Sequence, residues 1–260
     1  MPLEKTQAIV LRVVEFSESS CVVTLFTRDF GKLGALAKGA RRPKSAFDSA
    51  LDLLAVCRIV LLPKSSEALD LLTEARLERR FRLAGRSLPC LYAAYYVAEL
   101  LGELTHDHDP HPELFDAAVA TLAGLDQPGA AALPWVVRFE LTSLQILGHL
   151  PSLEVCVECG GAVVAAARVA FGLTAGGVLC PGCRAGCRHV VTISGGTLRV
   201  MQCFADRTSQ AWQRLQIDAR TRAELRGVLG QYVAHLMGRP PRMQPYLAIL
   251  ASDPGHPPPA

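Results

Sequence analysis

Hydrophobic and polar positions change their rhythm along this 260-residue chain. The first eighty residues hold short runs rich in β-branched residues, parted by polar or glycine-bearing connectors. Residues 6–14 and 21–27 are two such runs, joined by a serine-rich connector over 15–20. Residues 28–31 then turn the chain into a third run, 32–38. Residues 53–62 and 68–77 bring the predicted strands to five. Five short strands with no long helix between them predict a small barrel or a sandwich, with Gly31 and Gly34 suited to bulges at a corner. From about Glu78 the apolar positions recur at helical spacing. Helices are predicted over 91–101, over 113–123 behind Pro112, over 135–147 ending near Gly148, and over 197–204 and 220–237.

The helical rhythm is interrupted by two Cys-x-x-Cys knuckles, Cys156/Cys159 and Cys180/Cys183, with twenty residues between them. Each knuckle presents two thiolates from one tight turn, and two facing turns supply a tetrahedral four-sulfur cage for zinc. The neighbouring Gly160, Gly161, Gly176, Gly177 and Gly182 suit the positive-φ positions of such turns. Four protein ligands leave no open position, so the zinc would be structural. Cys187 and His189, just beyond, are spare ligands that can stand in for one of the four. Cys21, Cys57, Cys90 and Cys203 lie in apolar surroundings and read as small core residues.

The expected fold class is therefore α+β and multidomain. A β domain spans residues 1–80, and a helical domain spans 81–250 with a zinc-binding insertion at about 154–190. A proline-rich tail over 251–260 is expected to be disordered. The first fifteen residues carry Glu4, Lys5, Arg12 and Glu15 and do not resemble a signal peptide. No apolar run approaches the ~20 residues of a membrane span. Nine cysteines, an odd number, with paired knuckles point to metal in a reducing compartment and a cytoplasmic protein.

The net charge of +3 conceals a segregation. Six Lys or Arg and one acid fall between Arg28 and Lys44, whereas residues 87–137 hold seven acids and no Lys or Arg. A basic end of this kind suits phosphates. Lys38, Arg41, Arg42 and Lys44 lie on one turn with Lys32 just upstream, so they can meet several phosphates without reading sequence. Phe26, Phe30 and Phe47 flank the turn and are expected to pack in the core rather than stack on bases. A second cluster, Arg76, Arg79, Arg80, Arg82 and Arg86, either extends the phosphate track or pairs with acids at the junction with the helices.

Enzyme chemistry finds little support. His111-Pro-Glu113 followed by Cys-x-x-Cys matches half of a zinc deaminase, but Val155 stands where proline is required before the cysteine. No phosphate-cradling Gly-x-x-x-x-Gly-Lys-Ser/Thr loop and no Gly-x-Ser-x-Gly elbow is present.

Taken together, these residues resemble one family. Residues 8–11, 16–20, 25–27, Gly31, 37–41 and Ser45 are similar, in order and spacing, to the N-terminus of the RecO recombination mediators of bacteria. Leu91, Tyr92, Tyr96, 99–101, 138–141 and Leu147-Gly148 are similar to RecO helices, and the two knuckles to the zinc knuckles many RecO proteins carry. The resemblance runs to about Leu250. It implies an oligonucleotide-binding (OB) barrel, a helical domain and structural Zn2+. It implies a non-enzymatic protein of DNA repair and recombination, cytoplasmic and nucleoid-associated, that binds single- and double-stranded DNA and anneals complementary strands. The implied partners are RecR, the acidic tail of single-stranded DNA-binding protein (SSB), RecA indirectly, and in some settings RecF. The expected DNA-binding residues are Lys32, Lys38, Arg41, Arg42, Lys44, Arg76 and Arg79. The SSB tail is expected on Arg138 beside Phe139 and Leu141, and the metal on Cys156, Cys159, Cys180 and Cys183. The competing expectation is a zinc-stabilised protein–protein adaptor whose DNA contact is incidental.

Overall fold

The computed structural model describes residues 2–42, 45–47, 50–64, 69–82 and 87–250. Lys44, Arg86 and the tail over 251–260 lie outside the described residues. The chain divides into two compact units, Met1–Ala130 and Ala131–Ala260.

In the first unit, β1 (Glu4–Glu15), β2 (Cys21–Thr27), β3 (Gly31–Ala37), β4 (Val56–Leu62) and β5 (Asp70–Arg79) close a barrel in the order β1-β2-β3-β5-β4. All pairings are antiparallel except β3 with β5, which run parallel through Ala35↔Asp70, Leu36↔Leu71 and Ala37↔Leu72. This is the OB-like topology, and it decides between the barrel and the sandwich. Alternate residues fill the interior: Ala8, Val10, Val23, Leu25, Leu33, Ala35, Ile59, Leu61 and Leu72 are all buried there. Bulges fall in β1 near Val10–Arg12 and in the β4–β5 ladder, not at the glycines of β3, whose register with β2 is unbroken. Gly31 answers a different need. Its φ is +70°, and a Cβ there would lie 2.3 Å from the Asp109 carbonyl oxygen, so the chain passing over it requires glycine.

Helices α1 (Leu88–Leu104) and α2 (Pro112–Leu125) belong to this unit. Ile9 and Phe26, paired across β1 and β2, point away from the barrel interior yet are fully buried. Phe115 of α2 lies over Phe26 at 6.3 Å between ring centroids. Arg28 holds the same helix with a two-pronged bond to the Asp116 carboxylate, 3.0 and 2.9 Å.

The second unit opens with α3 (Ala132–Ile146), closed by Gly148 at φ +76°. A three-stranded antiparallel sheet follows, made of β6 (Arg168–Gly172), β7 (Gly177–Leu179) and β8 (Val190–Ser194) in the order β7-β6-β8, with the short helix α4 (Pro181–Arg184) between β7 and β8. The expected helical domain thus also contains a sheet, which the sequence reading does not anticipate. Helices α5 (Gly195–Ala205), α6 (Ala219–Met237) and α7 (Gln244–Leu247) complete the unit. Phe139, Phe171, Phe204, Leu198, Leu229 and Val233 form its buried interior.

Two acids fasten α6. Glu140 of α3, fully buried, accepts from Arg226 of α6 at 2.6 Å. Glu224 accepts from the Thr197 hydroxyl (2.6 Å) and the Ser194 N–H (2.8 Å) and sits 3.3 Å from Arg168. Burial pushes the Glu224 carboxyl up, but these donors outweigh it and hold it down at about 2, against an ordinary 4.5. Such a depressed carboxyl stabilises the fold fully above its unfolded value. That contribution is lost as pH falls from about 4.5 towards 2. Glu224→Gln is expected to cost about 2 kcal/mol at pH 7 and to flatten the fall in unfolding temperature across that window. Thermal unfolding followed by circular dichroism checks this, and an unchanged acid profile would refute the assignment.

Candidate functional site

The basic turn follows β3 directly. Register places Ala37 opposite Cys21, so the chain leaves β3 beside the tip of the β1–β2 hairpin. There the Arg41 N–H donates to the Ser19 carbonyl at 3.1 Å, and the Gly39 N–H reaches the Ser20 hydroxyl at 3.4 Å. Gly39, at φ +71°, supplies the left-handed step. The turn is thus pinned by its backbone, which leaves its side chains outside: Lys38, Arg41 and Arg42 are all exposed. Arg41 pairs with Glu15 at 3.0 Å across two exposed side chains, a contact of small energetic weight. Among the described residues, no acid is paired with Lys38 or Arg42.

Lys32 does not join them. Its ammonium donates to the Gly102 and Thr105 carbonyls at 2.6 and 2.7 Å and meets Asp107 at 3.4 Å, with the side chain only 16% exposed. It supplies the cation that the last turn of α1, with no basic residue of its own, lacks. Arg79 is likewise engaged, donating to the Val119 carbonyl of α2 at 2.6 Å, and Arg80 pairs with Asp52 at 3.0 Å. The second basic cluster therefore serves largely to tie the barrel to its surroundings within the unit. Two described members of the cluster stay exposed, Arg82 and Arg76. Arg76 stands on β5, in register with exposed Arg58 of β4, about 13 Å along the strand from the last β3–β5 pair. Phe26 and Phe47 are buried and Phe30 packs against the barrel core, as expected of core aromatics.

The second unit brings the four knuckle cysteines together. Their sulfurs all lie within 4.8 Å of one another, and the Cys159 and Cys180 sulfurs are 3.8 Å apart. A tetrahedral ion with metal–sulfur bonds of about 2.3 Å needs sulfurs about 3.8 Å apart, so the residues fit. The first knuckle is laid on β7 by Val157 N–H to the Val178 carbonyl (3.0 Å) and Val178 N–H to the Ser152 carbonyl (2.8 Å). Gly177 permits that approach, because a Cβ there would stand 2.6 Å from the Ser152 carbonyl oxygen. Gly160 and Gly176 adopt positive φ, at +72° and +80°. Backbone N–H groups of Cys180 and Cys159 pull the Cys156 thiol down to about 6, while hydrogen bonds shared with the Cys180 and Cys159 sulfurs push Cys183 up to about 12. Four sulfurs that cannot all ionise alone form a set that a divalent cation would stabilise. Cys187 stands apart from the four and reaches the Glu158 carboxylate at 3.6 Å, and His189 does not enter the cluster.

Arg138 donates to the carbonyls of Phe204 (2.5 Å) and Asp206 (2.8 Å), and its guanidinium lies 5.8 Å from the Trp212 ring centre. Trp135 meets Trp212 edge-on at 4.9 Å. Leu141 is fully buried, which removes it from any docking surface. It lies four residues after Val137 and three before Leu144, on the face of α3 that buries all three.

Comparison with known proteins agrees with this architecture. The family model described as "Recombination protein O N terminal" matches residues 1–81, and "Recombination protein O C terminal" matches residues 86–245. The "DNA repair protein RecO" of Rhodopirellula baltica is 41% identical over 263 residues, covering 92% of this chain and 97% of its own. The protein of that name from Anaeromyxobacter dehalogenans is 35% identical over 236 residues, covering 90% of this chain and 92% of its own. That of Myxococcus xanthus is 32% identical over 246 residues, with 95% and 97% covered. Among the described residues no helix is long and apolar enough to cross a membrane. An OB-like barrel, a following helical region with four clustered cysteines, and matches at both ends of the chain together lead to one conclusion: this chain belongs to the RecO family of DNA repair proteins.

Proposed function

We propose that the protein is a cytoplasmic, nucleoid-associated recombination mediator that binds single- and double-stranded DNA and anneals complementary strands without catalysing a covalent step. In this reading it acts with RecR, and where present RecF, to help RecA load onto strands coated by SSB. The observation that carries the proposal is the turn over residues 38–42, pinned by its backbone to the β1–β2 hairpin of an OB-like barrel with Lys38, Arg41 and Arg42 left exposed. Annealing must hold two polyanions together without reading either, and diffuse cationic contacts suit that better than base-edge contacts. Arg76 extends the track. Lys32 is left out because its ammonium caps α1, and Arg79 contributes less than its exposed neighbours. Lys44 remains assigned on its sequence neighbours alone. The acidic SSB tail would meet Arg138 beside half-buried Trp135 rather than Leu141. The four sulfurs would hold structural Zn2+, a closed site with no position for substrate.

Affinity for a single strand measured against salt tests the reading. Replacing Lys38, Arg41 and Arg42 with alanine is expected to reduce the log–log salt slope by about 2 and to slow annealing of complementary oligonucleotides. Annealing at the parental rate would show that the turn is not the interface, and DNA binding without salt dependence would overturn the proposal itself.

The metal assignment predicts that Cys180→Ala loses bound zinc and lowers the unfolding temperature, with DNA affinity of the folded fraction retained. Cys187→Ala is expected to change neither. Zinc content by elemental analysis and melting curves distinguish the two, and full zinc occupancy in the Cys180 variant would refute the four-sulfur site.

A further inference from the structure

Beyond the cationic turn, one side chain of the first unit is out of place for a folded core. Phe16 is 66% exposed, the most exposed aromatic ring among the described residues that carry one in this unit. Its neighbours Arg12, Val13, Val14 and Glu15 are exposed as well, so the end of the β1–β2 hairpin stands clear of the barrel interior. The tip is ordered rather than loose. The Phe16 and Ser17 N–H groups both donate to the Ser20 carbonyl, at 3.0 and 3.2 Å, and the Ser20 N–H donates to the Ser17 hydroxyl at 3.2 Å. The same tip is the element on which the basic turn is fastened, through Ser19, Ser20 and the Glu15–Arg41 pair.

An exposed, backbone-fixed phenyl ring next to exposed cations combines the two ingredients of single-strand binding, a stacking platform and a phosphate track. A buried ring such as Phe26 cannot provide the first, and cations alone provide only the second. Resting on the DNA-binding reading above, we propose that Phe16 is a base-stacking residue: it stacks on an unpaired base of a strand whose phosphates run along Lys38, Arg41 and Arg42. Duplex DNA keeps its bases stacked on one another and offers the ring no face. Phe16 therefore sets the preference for single strands over duplex, while the cations set affinity for both.

The test uses the full chain, a fluorescently labelled oligothymidine of about twenty nucleotides and a duplex of equal length, with affinity read by anisotropy. Phe16→Ala is expected to weaken oligothymidine binding about tenfold while leaving duplex affinity and the salt slope unchanged. Phe16→Trp is expected to restore single-strand affinity and to lose part of its added emission, relative to wild type with its native Trp135 and Trp212, when the oligonucleotide binds. Equal loss on both DNAs in Phe16→Ala, or unquenched emission of the Phe16→Trp variant at saturation, would overturn the stacking role. If wild-type protein binds oligothymidine and the Lys38, Arg41, Arg42 variant loses it while Phe16→Ala does not, only this inference fails. If wild type binds neither DNA, the functional reading fails with it.

Discussion

Closure of the barrel rests on three parallel residue pairs between β3 and β5, the shortest ladder in it. Everything else in the barrel is antiparallel, and apart from β1 with β4 it joins strands consecutive in the chain. Without this seam β3 and β5 would each present an unpaired edge, and Leu33, Ala35 and Leu72 would lose their common interior. Small residues make the seam: Ala35 and Ala37 lie on the inner face of β3, and at Gly34 a Cβ would stand 2.9 Å from the Leu69 side chain. The seam also dictates where β3 stops. It delivers the chain beside the β1–β2 hairpin, where the turn over 38–42 has no choice but to hydrogen-bond through its backbone and turn its long side chains outward.

How much of this can be read in one dimension depends on what each feature is made of. The five strands are legible because β-branched runs and turn residues are local signals, and all five runs fall on observed strands. The sulfur site is legible because a rare residue type recurs at fixed spacing and its chemistry needs little else. The sheet β6–β8 is not, because strands of five, three and five residues carry too little alternation to stand out among glycines and alanines. Lys32 and Leu141 mislead for the opposite reason. Each sits beside residues of the right character, yet tertiary packing assigns it elsewhere, to the end of α1 and to the interior of α3's unit. A clue to Lys32 exists all the same. Residues 87–137 contain helices but no Lys or Arg, so any cation at the end of α1 must come from outside that stretch. Phe16 escapes notice among phenylalanines that default to the core, since only its position past the end of β1 sets it apart.

In the second unit the polar ties are as selective as the apolar ones are permissive. The Glu140–Arg226 pair fixes α3 against α6 by a buried bond that hydrophobic residues of like size would replace at little cost in stability. What such a pair adds is register, because neither charge tolerates a partner displaced by a turn. Glu224 works in the same way at the start of α5, where it gathers a hydroxyl from α5, an amide from β8 and a guanidinium from β6.

The position of Lys32 changes how the charge of the protein should be counted. The formal +3 is a property of the formula, and it includes an ammonium that sits on helix carbonyls and hardly meets solvent. Arg28 is matched by Asp116, and Arg58 by Glu78 at 2.8 Å. The cations of the barrel that solvent meets unpaired are therefore fewer than the formula suggests, and Lys38 and Arg42 of the turn are among them.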